Sequence, residues 1–307
     1  MIGSLNNLLG SGNNINGFVN TIDGNLNTVA NGSYNVISGA QNTVSNGNNN
    51  GILGNLNFVQ GTSNILKGNT NTLAGNSNLV AGNSNKLFGD KNGVSGNTNY
   101  LVGGSNAVIG SNNALNGFTN VVSGSSNTLQ GSSNTVNGNT NTLMGNVNNV
   151  RGDVNAVIGS NNSAFGNQNS ILGNQNTADG LGNTIVGTSN SAIGINNSQT
   201  GDLNTAVGIA NSQFGTSNLA IGVKNTQVGT GNIAIGDKNN LFGTSNTVSG
   251  NVNTAIGIRN TISGDSNKVI GTSNLASGNS NIIAGKSNKV NGGSNVVKGT
   301  TNFISGN

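Results

Sequence analysis

Residues 68–89 read GNTNTLAGNSNLVAGNSNKLFG, in which one seven-residue motif occurs three times. The motif first appears at Gly3. From Gly54 to Gly306, every seventh residue is Gly without exception. Counted from each motif Gly, position +3 is always Asn, and position +5 is Val, Ile, Leu or Ala in all but three copies. The chain is therefore G-x-x-N-x-Φ-x, with Φ an apolar residue, in about 43 tandem copies.

The residue types favour short β-strands joined by tight corners over helices or disorder. A Gly in every helical turn would cost about 1 kcal/mol each relative to Ala, and Asn is a poor helix former. Positions +3 to +6 alternate like a strand, with Asn and Φ on one side and positions +4 and +6 on the other. Gly accepts the positive φ of a corner. Pro is absent, as expected for stacked strands, because Pro has no backbone N–H to donate to a neighbouring strand. The strict period argues against low-complexity disorder.

Two independent patterns indicate that one coil takes two motifs, or fourteen residues. Between Ile185 and Leu241, position +5 alternates strictly between Ala and Gln, through Ala192, Gln199, Ala206, Gln213, Ala220, Gln227 and Ala234. The one-residue insertions, near Asn31 and Asn46, lie fifteen residues apart. They therefore fall in the same half of successive coils, and we expect them to stack as a column of widened corners.

The sequence thus predicts an all-β parallel solenoid of about 22 two-sided coils of 14 residues, with two N-terminal coils of 15. At ~4.8 Å per coil, the stack would be roughly 100 Å long. We expect one solenoid over 1–307, with the insertions in 1–53, the strict period in 54–307, and an Ala/Gln core over about 156–256. The motif runs uncapped from Gly3 to Gly306, which favours either head-to-tail stacking or a chain cut from a longer protein.

The inward Asn residues are expected to form amide ladders along the corners, as repeated Asn does in stacked strands. The three inward Gln residues should form a shorter ladder of the same kind, rather than a ligand site. Representative members of the predicted structural ladder are Asn57, Asn71, Asn141, Asn204 and Asn218.

Some segments resemble repeats of two known families. GSSNTLQGSSNTVNG (124–138) and GTSNTVSG (243–250) resemble the repeats of grass ice-recrystallisation-inhibition proteins. GTSNLAIGVKNTQVGTGNIAIGDKN (215–239) is similar to the head repeats of trimeric autotransporter adhesins. Both families fold as left-handed β-rolls, so the resemblance implies a left-handed β-roll here. It also implies two roles: ice binding, or attachment to a host or carbohydrate surface by a trimeric head.

Positions +4 and +6 predict two outward faces. The first has no charge over twelve successive coils, from Tyr100 to Ile256, and sets small hydroxyl residues beside aliphatic ones. Its candidate residues for surface binding or self-association are Thr128, Thr142, Ile158, Leu172, Thr184, Val186, Phe214, Thr226, Val228, Phe242, Thr254 and Ile256. The opposite face is predicted to carry an apolar stripe of Ile193, Val207, Leu219, Ile221, Ile233 and Ile235.

The composition argues against catalysis, metal or cofactor binding, and nucleic-acid recognition. His, Cys and Glu are absent, and the seven Asp residues are dispersed, so no nucleophile has a His base and no close carboxylate pair is visible. Asp237 and Asp265 should lie on one side roughly 10 Å apart, too far to share one metal ion. Eleven basic residues are scattered singly, without a basic patch. The first residues do not resemble a signal peptide, and no apolar run is long enough to span a membrane. We nevertheless expect an extracellular or cell-surface location.

We therefore expect a non-catalytic protein whose function lies in its repetitive faces. The leading hypothesis is a self-associating fibre or adhesive surface protein, because long exposed apolar stripes are usually covered by a partner. The first partners would be other copies of the chain, packed laterally, head to tail or as a trimer. The alternative is an ice-binding protein that uses the uncharged face, and the third hypothesis is the head of a trimeric adhesin.

Overall fold

The computed structural model of the protein describes residues 2–306, which form β-strands and corners and no helix. The chain divides into two compact units, Met1–Val154 (unit 1) and Asn155–Asn307 (unit 2), and each is described by itself. Both units are parallel β-solenoids, so the predicted fold class is confirmed. The prediction of one uninterrupted solenoid over the whole chain stays a prediction.

Unit 1 contains the strands β1 (Asn7–Leu9), β2 (Asn14–Asn16), β3 (Thr21–Asp23), β4 (Thr28–Ala30), β5 (Val36–Ser38), β6 (Thr43–Ser45), β7 (Gly51–Leu53), β8 (Phe58–Gln60), β9 (Ile65–Lys67), β10 (Thr72–Ala74), β11 (Leu79–Ala81), β12 (Lys86–Phe88), β13 (Gly93–Ser95), β14 (Tyr100–Val102), β15 (Ala107–Ile109), β16 (Ala114–Asn116), β17 (Val121–Ser123), β18 (Thr128–Gln130), β19 (Thr135–Asn137), β20 (Thr142–Met144) and β21 (Asn149–Arg151).

Unit 2 contains the strands β22 (Ala156–Ile158), β23 (Ser163–Asn167), β24 (Ser170–Asn174), β25 (Thr177–Leu181), β26 (Thr184–Thr188), β27 (Ser191–Ile195), β28 (Ser198–Asp202), β29 (Thr205–Ile209), β30 (Ser212–Thr216), β31 (Leu219–Val223), β32 (Thr226–Thr230), β33 (Ile233–Ile235), β34 (Asn240–Thr244), β35 (Thr247–Ser249), β36 (Thr254–Ile258), β37 (Thr261–Ser263), β38 (Lys268–Thr272), β39 (Leu275–Ser277), β40 (Ile282–Lys286), β41 (Lys289–Asn291), β42 (Val296–Thr300) and β43 (Phe303–Ser305).

Within each unit, a strand pairs in parallel with the strand two places further along the chain. Odd-numbered strands therefore form one sheet and even-numbered strands the other. In unit 1, Leu73 of β10 lies beside Leu87 of β12. In unit 2, Ala206 of β29 lies beside Ala220 of β31. Both pairs are fourteen residues apart, which confirms the coil length.

The two inserted residues widen the corners that the sequence predicts. Thr28 of β4 pairs with Thr43 of β6, a step of fifteen residues. The Asn16 side-chain nitrogen donates to the Asn31 side-chain oxygen over 2.8 Å, and Asn31 donates in the same way to Asn46 over 3.3 Å. The insertions therefore stack as one column, as predicted.

The interior of each unit consists of the Φ residues and the motif Asn residues. Leu73 and Leu143 are fully buried in unit 1, as are Ile185 and Val269 in unit 2. The neighbouring +4 and +6 side chains point outward and are mostly exposed. The prediction that Asn and Φ share the inner side is confirmed.

Strand length varies with the residue at position +1. In unit 1, every strand is three residues long, whereas many unit 2 strands continue through Gly to position +1. Ile195 pairs with Ile209, and Ile209 with Val223, so β-branched residues at +1 extend the ladder. At the next coil, the Asp237 carboxylate accepts the N–H of Val223 over 2.9 Å, and β33 stops at Ile235. At this coil the side-chain acceptor at +1 coincides with a bend. Asp202 accepts the N–H of Thr188 in the same way, but β28 still reaches Asp202 because Asp202 pairs with Thr216 of the next coil.

Candidate functional site

The motif Asn ladder stabilises both units from inside. Asn71 donates from its side-chain nitrogen to the Asn57 side-chain oxygen over 3.1 Å and to the Gly82 carbonyl over 2.8 Å. Its own side-chain oxygen accepts the backbone and side-chain N–H groups of Asn85, over 2.9 and 3.1 Å. The five Asn residues named from the sequence, Asn57, Asn71, Asn141, Asn204 and Asn218, are all buried. This ladder of motif Asn residues therefore has a structural role, since its side-chain amides point inward and do not reach the outer surface.

A second, outer ladder follows position +1 and was not predicted from the sequence. In unit 1, the backbone N–H of Asn55 donates to the Asn69 side-chain oxygen over 2.8 Å. Asn69 repeats the bond to Asn83, and Asn83 repeats it to Asn97. The signal that could have revealed this ladder is the excess of Asn, Ser and Asp at +1, because these residues accept backbone N–H groups at bends.

The even-strand face, defined as the outward +4 and +6 side chains of the even strands, carries the predicted candidates. In unit 1, Lys86 is its one charged residue over β2–β20. In unit 2, no residue of this face is charged from β22 to β36. Thr226 and Thr254 are half-buried, and the other predicted residues of this face are exposed, namely Thr128 and Thr142 in unit 1 and Ile158, Leu172, Thr184, Val186, Phe214, Val228, Phe242 and Ile256 in unit 2. The structure therefore places all twelve on the surface.

In unit 2, the even-strand face has a hydroxyl column at +4. From β24 to β36 this position reads Ser, Thr, Ser, Ser, Thr, Asn and Thr, so Asn240 is the one member without a hydroxyl. Successive members lie one coil apart, about 4.8 Å. The column at +6, which is aliphatic or aromatic except for Thr200, lies beside it, and Phe214 is 61% exposed.

The five-residue strands add a third outward column that the sequence did not predict. Positions +4, +6 and +1 alternate along one extended strand, so they share its outer side. Thr216 pairs with Thr230, and Thr230 with Thr244, in register. Asp202 occupies the same column, and its carboxylate accepts the N–H of Thr188 over 2.8 Å.

The odd-strand face of unit 2 carries the predicted apolar stripe. Ile193, Ile221 and Ile235 are exposed, and Val207, Leu219 and Ile233 are half-buried. The longer strands bring a further aliphatic row to its margin, consisting of Leu181, Ile195, Ile209 and Val223. We call these ten residues the odd-face apolar patch. Two of them, Ile193 and Ile195, are 42% and 40% exposed.

The inward Gln residues form the short ladder that the sequence predicts. Gln199 donates to Gln213, and Gln213 to Gln227, each over 2.8 Å. All three lie in the interior of unit 2, so they are not available to an external ligand. The Gln199 side-chain oxygen, at the head of the ladder, is buried and has no hydrogen-bond partner among the described residues.

The acidic residues of residues 2–306 do not come together as a metal site. No cluster of three potential metal ligands occurs in this part of the chain. Asp237, Asn251 and Asp265 follow one another in the outer ladder of unit 2, with Asn251 between the two carboxylates. Residues 2–306 also form no helix with the length and apolarity that crossing a membrane requires.

Three stretches of the chain match a known family. The model of the grass antifreeze β-roll family matches residues 2–103, 75–166 and 222–307. These ranges together cover 2–166 and 222–307, well over half of the chain. No curated protein matches it.

Proposed function

The chain belongs to the grass antifreeze β-roll family, and we propose that it binds ice through its even-strand face. The observation that carries this proposal is the uncharged hydroxyl column at +4 in unit 2, beside a +6 column that is apolar except for Thr200. Over β24–β36, one charged residue, Asp202, lies in the neighbouring +1 column, where its carboxylate accepts the Thr188 N–H. A charged group holds its own hydration shell and disturbs an ordered water layer. Hydroxyl and methyl groups at a fixed spacing favour ordered water instead. The hydroxyl groups form hydrogen bonds with water molecules, and the apolar groups restrict the orientation of the water beside them.

The rigidity of the face supports the same function. Each outward residue lies between strands that are hydrogen-bonded on both sides, and the motif Asn ladder fixes the corners from inside. A surface that is ordered before binding loses little conformational entropy when it meets a lattice. The role needs no chemical step, which agrees with a non-catalytic protein. We also propose an extracellular location, since ice that meets an organism grows first in the fluid outside its cells.

Ice-recrystallisation and thermal-hysteresis assays test this proposal. We expect the protein to slow crystal coarsening and to shape ice crystals at micromolar concentration. The double variant Thr184→Lys with Thr226→Lys should lose most of this activity, because two hydrated ammonium groups would stand in the hydroxyl column. The matched control is Thr247→Lys with Thr261→Lys, which adds the same charge to the odd strands β35 and β37. Equal loss in both variants, or an inactive parent protein, would refute the proposal.

Self-association is a second candidate function, supported by the odd-face apolar patch. Ten aliphatic residues on neighbouring strands form an unusually continuous apolar area for a solvent-exposed surface. A second copy of the chain is the partner that fits best, because its coils have the same spacing and its rows of side chains can interdigitate over several coils. Such a contact would leave the even-strand face free, so the two functions are compatible.

Sedimentation velocity over a range of concentrations tests self-association. We expect the parent protein to form dimers or larger species, and Ile193→Lys with Ile221→Lys to shift it to the monomer, because charges are costly in an apolar interface. The control pair Ser249→Lys and Ser263→Lys adds the same charges at the same motif position outside the patch. A parent protein that stays monomeric at high concentration would exclude this candidate.

A further inference from the structure

The even-strand face of unit 1 contains a shallow groove beside Tyr100. It has a volume of about 240 Å³ and is lined by Tyr100, Ala114, Asn116, Thr128 and Gln130, with the backbone of the sheet as its floor. The groove arises from side-chain size along one column. Tyr100 pairs with Ala114, and Ala114 with Thr128, so a small residue lies between two larger ones.

An aromatic wall borders this groove. Tyr100 is 47% exposed, and its ring packs against Phe88 with the centroids 6.0 Å apart and the planes tilted by 55°. This contact restricts the Tyr100 ring without covering it. The groove therefore presents a partly immobilised, flat and weakly apolar surface to solvent.

Two amides provide the polar side of the groove. Asn116 and Gln130 lie in register on adjacent strands, both at position +6. Each amide offers two donors and an acceptor, and neither side chain is engaged in a hydrogen bond with another residue of the described chain. No charged residue lines the groove. Its chemistry therefore suits a neutral ligand with several hydroxyl groups.

We propose that this groove binds one sugar ring of a neutral polysaccharide or glycan. The apolar C–H side of the ring would stack on Tyr100, and the ring hydroxyls would bond to Asn116, Gln130 and Thr128. Small-molecule sites with about 300–1,000 Å³ hold drug-sized ligands, so this smaller groove fits a single ring. Its openness along the face allows the remaining sugars of a chain to extend into solvent. The site lies outside the hydroxyl column of unit 2, so it does not depend on the ice-binding proposal.

The aromatic composition provides a direct assay. The chain has two Tyr residues and no Trp, so in the variant Tyr34→Phe the single remaining tyrosine is Tyr100. We would titrate this variant with soluble cello-, chito- and malto-oligosaccharides while following tyrosine fluorescence, and confirm binding by calorimetry. The expected result is a saturable fluorescence change with at least one of the three series. Absence of saturable binding with all three series would overturn the proposal.

Two variants locate the binding. Tyr100→Ala removes the stacking surface, and Ala114→Phe fills the groove; both positions face outward, so circular dichroism should show an unchanged fold. We expect each to weaken calorimetric binding by up to about tenfold, because a tenfold change corresponds to about 1.4 kcal/mol and a single aromatic contact contributes about that much at most. Thr72→Phe, an outward change on β10, is the control and should bind normally. Binding that survives both groove variants would show that the sugar binds elsewhere and would refute this site.

Discussion

At the scale of single residues, the motif Asn stabilises a corner because its side chain uses all of its hydrogen-bonding capacity. The two amide hydrogens of Asn71 bond to Asn57 and Gly82, and its oxygen accepts two N–H groups of Asn85. No apolar residue can replace these bonds, although the site is buried. This explains why position +3 does not vary from coil to coil, while the outward positions do.

Replacing Asn71 with Leu should lower the free energy of unfolding by roughly 3 kcal/mol or more. The Gly82 carbonyl and the N–H groups of Asn85 would each lose a partner in a dry interior, at about 1–3 kcal/mol per group. Urea unfolding followed by circular dichroism measures this change. Thr72→Val, the neighbouring outward substitution, should stay within about 0.5 kcal/mol. Similar effects of both substitutions would contradict the role given to the ladder.

Two Gly→Ala substitutions should have opposite effects, because the two glycines are present for different reasons. Gly75 has a φ of 141°, and a Cβ there would lie 2.1 Å from the Gly89 carbonyl oxygen, so Gly75→Ala should cost more than ~2 kcal/mol. At Gly93, nothing lies within 4 Å of the added Cβ. Gly93→Ala should therefore be neutral or stabilise by about 0.4–1 kcal/mol. Thermal unfolding of both variants would show whether these signs hold.

At the scale of strands and coils, the period carries most of the information about the fold. The insertions near Asn31 and Asn46, together with the Ala/Gln alternation, are sufficient to predict the fourteen-residue coil. Strand length could not be predicted in this way, because it depends on pairs of +1 residues fourteen positions apart. Ile195 extends β27 since Ile209 pairs with it. Asp237 instead has side-chain bonds on both sides, because its carboxylate accepts the Val223 N–H and its own N–H donates to the Asn251 side-chain oxygen.

The Gln ladder predicts an order of stability among its own variants. Gln199→Leu removes the oxygen that has no partner, but it takes the Gln199 donor away from the Gln213 oxygen and from the Ser191 carbonyl. Gln213→Leu leaves the Gln199 oxygen unpaired, and it takes the Gln213 donor away from the Gln227 oxygen and from the carbonyls of Thr205 and Asn218. Gln213→Leu should therefore be less stable than Gln199→Leu by about 1–3 kcal/mol. Chemical denaturation that gives the reverse order would show that the ladder is not the controlling contact.

At the scale of the whole molecule, each outer face combines features that the period alone does not specify. The sequence correctly predicts that Thr184 and Ile193 point outward, because alternation in a strand determines sidedness. It did not reveal the Thr216 column or the Tyr100 groove, since both depend on neighbours one or two coils away. The match to grass antifreeze β-rolls then favours ice over other copies of the chain as the first partner to test.

The most direct test of the ice-binding proposal is to grow a single ice crystal in a solution of the protein fused to green fluorescent protein. We predict that the fusion is retained on defined crystal planes, and that Thr184→Lys with Thr226→Lys abolishes this retention while the odd-strand lysine pair preserves it. Exclusion of the parent fusion from the ice, to the same extent as free green fluorescent protein, would contradict the proposal.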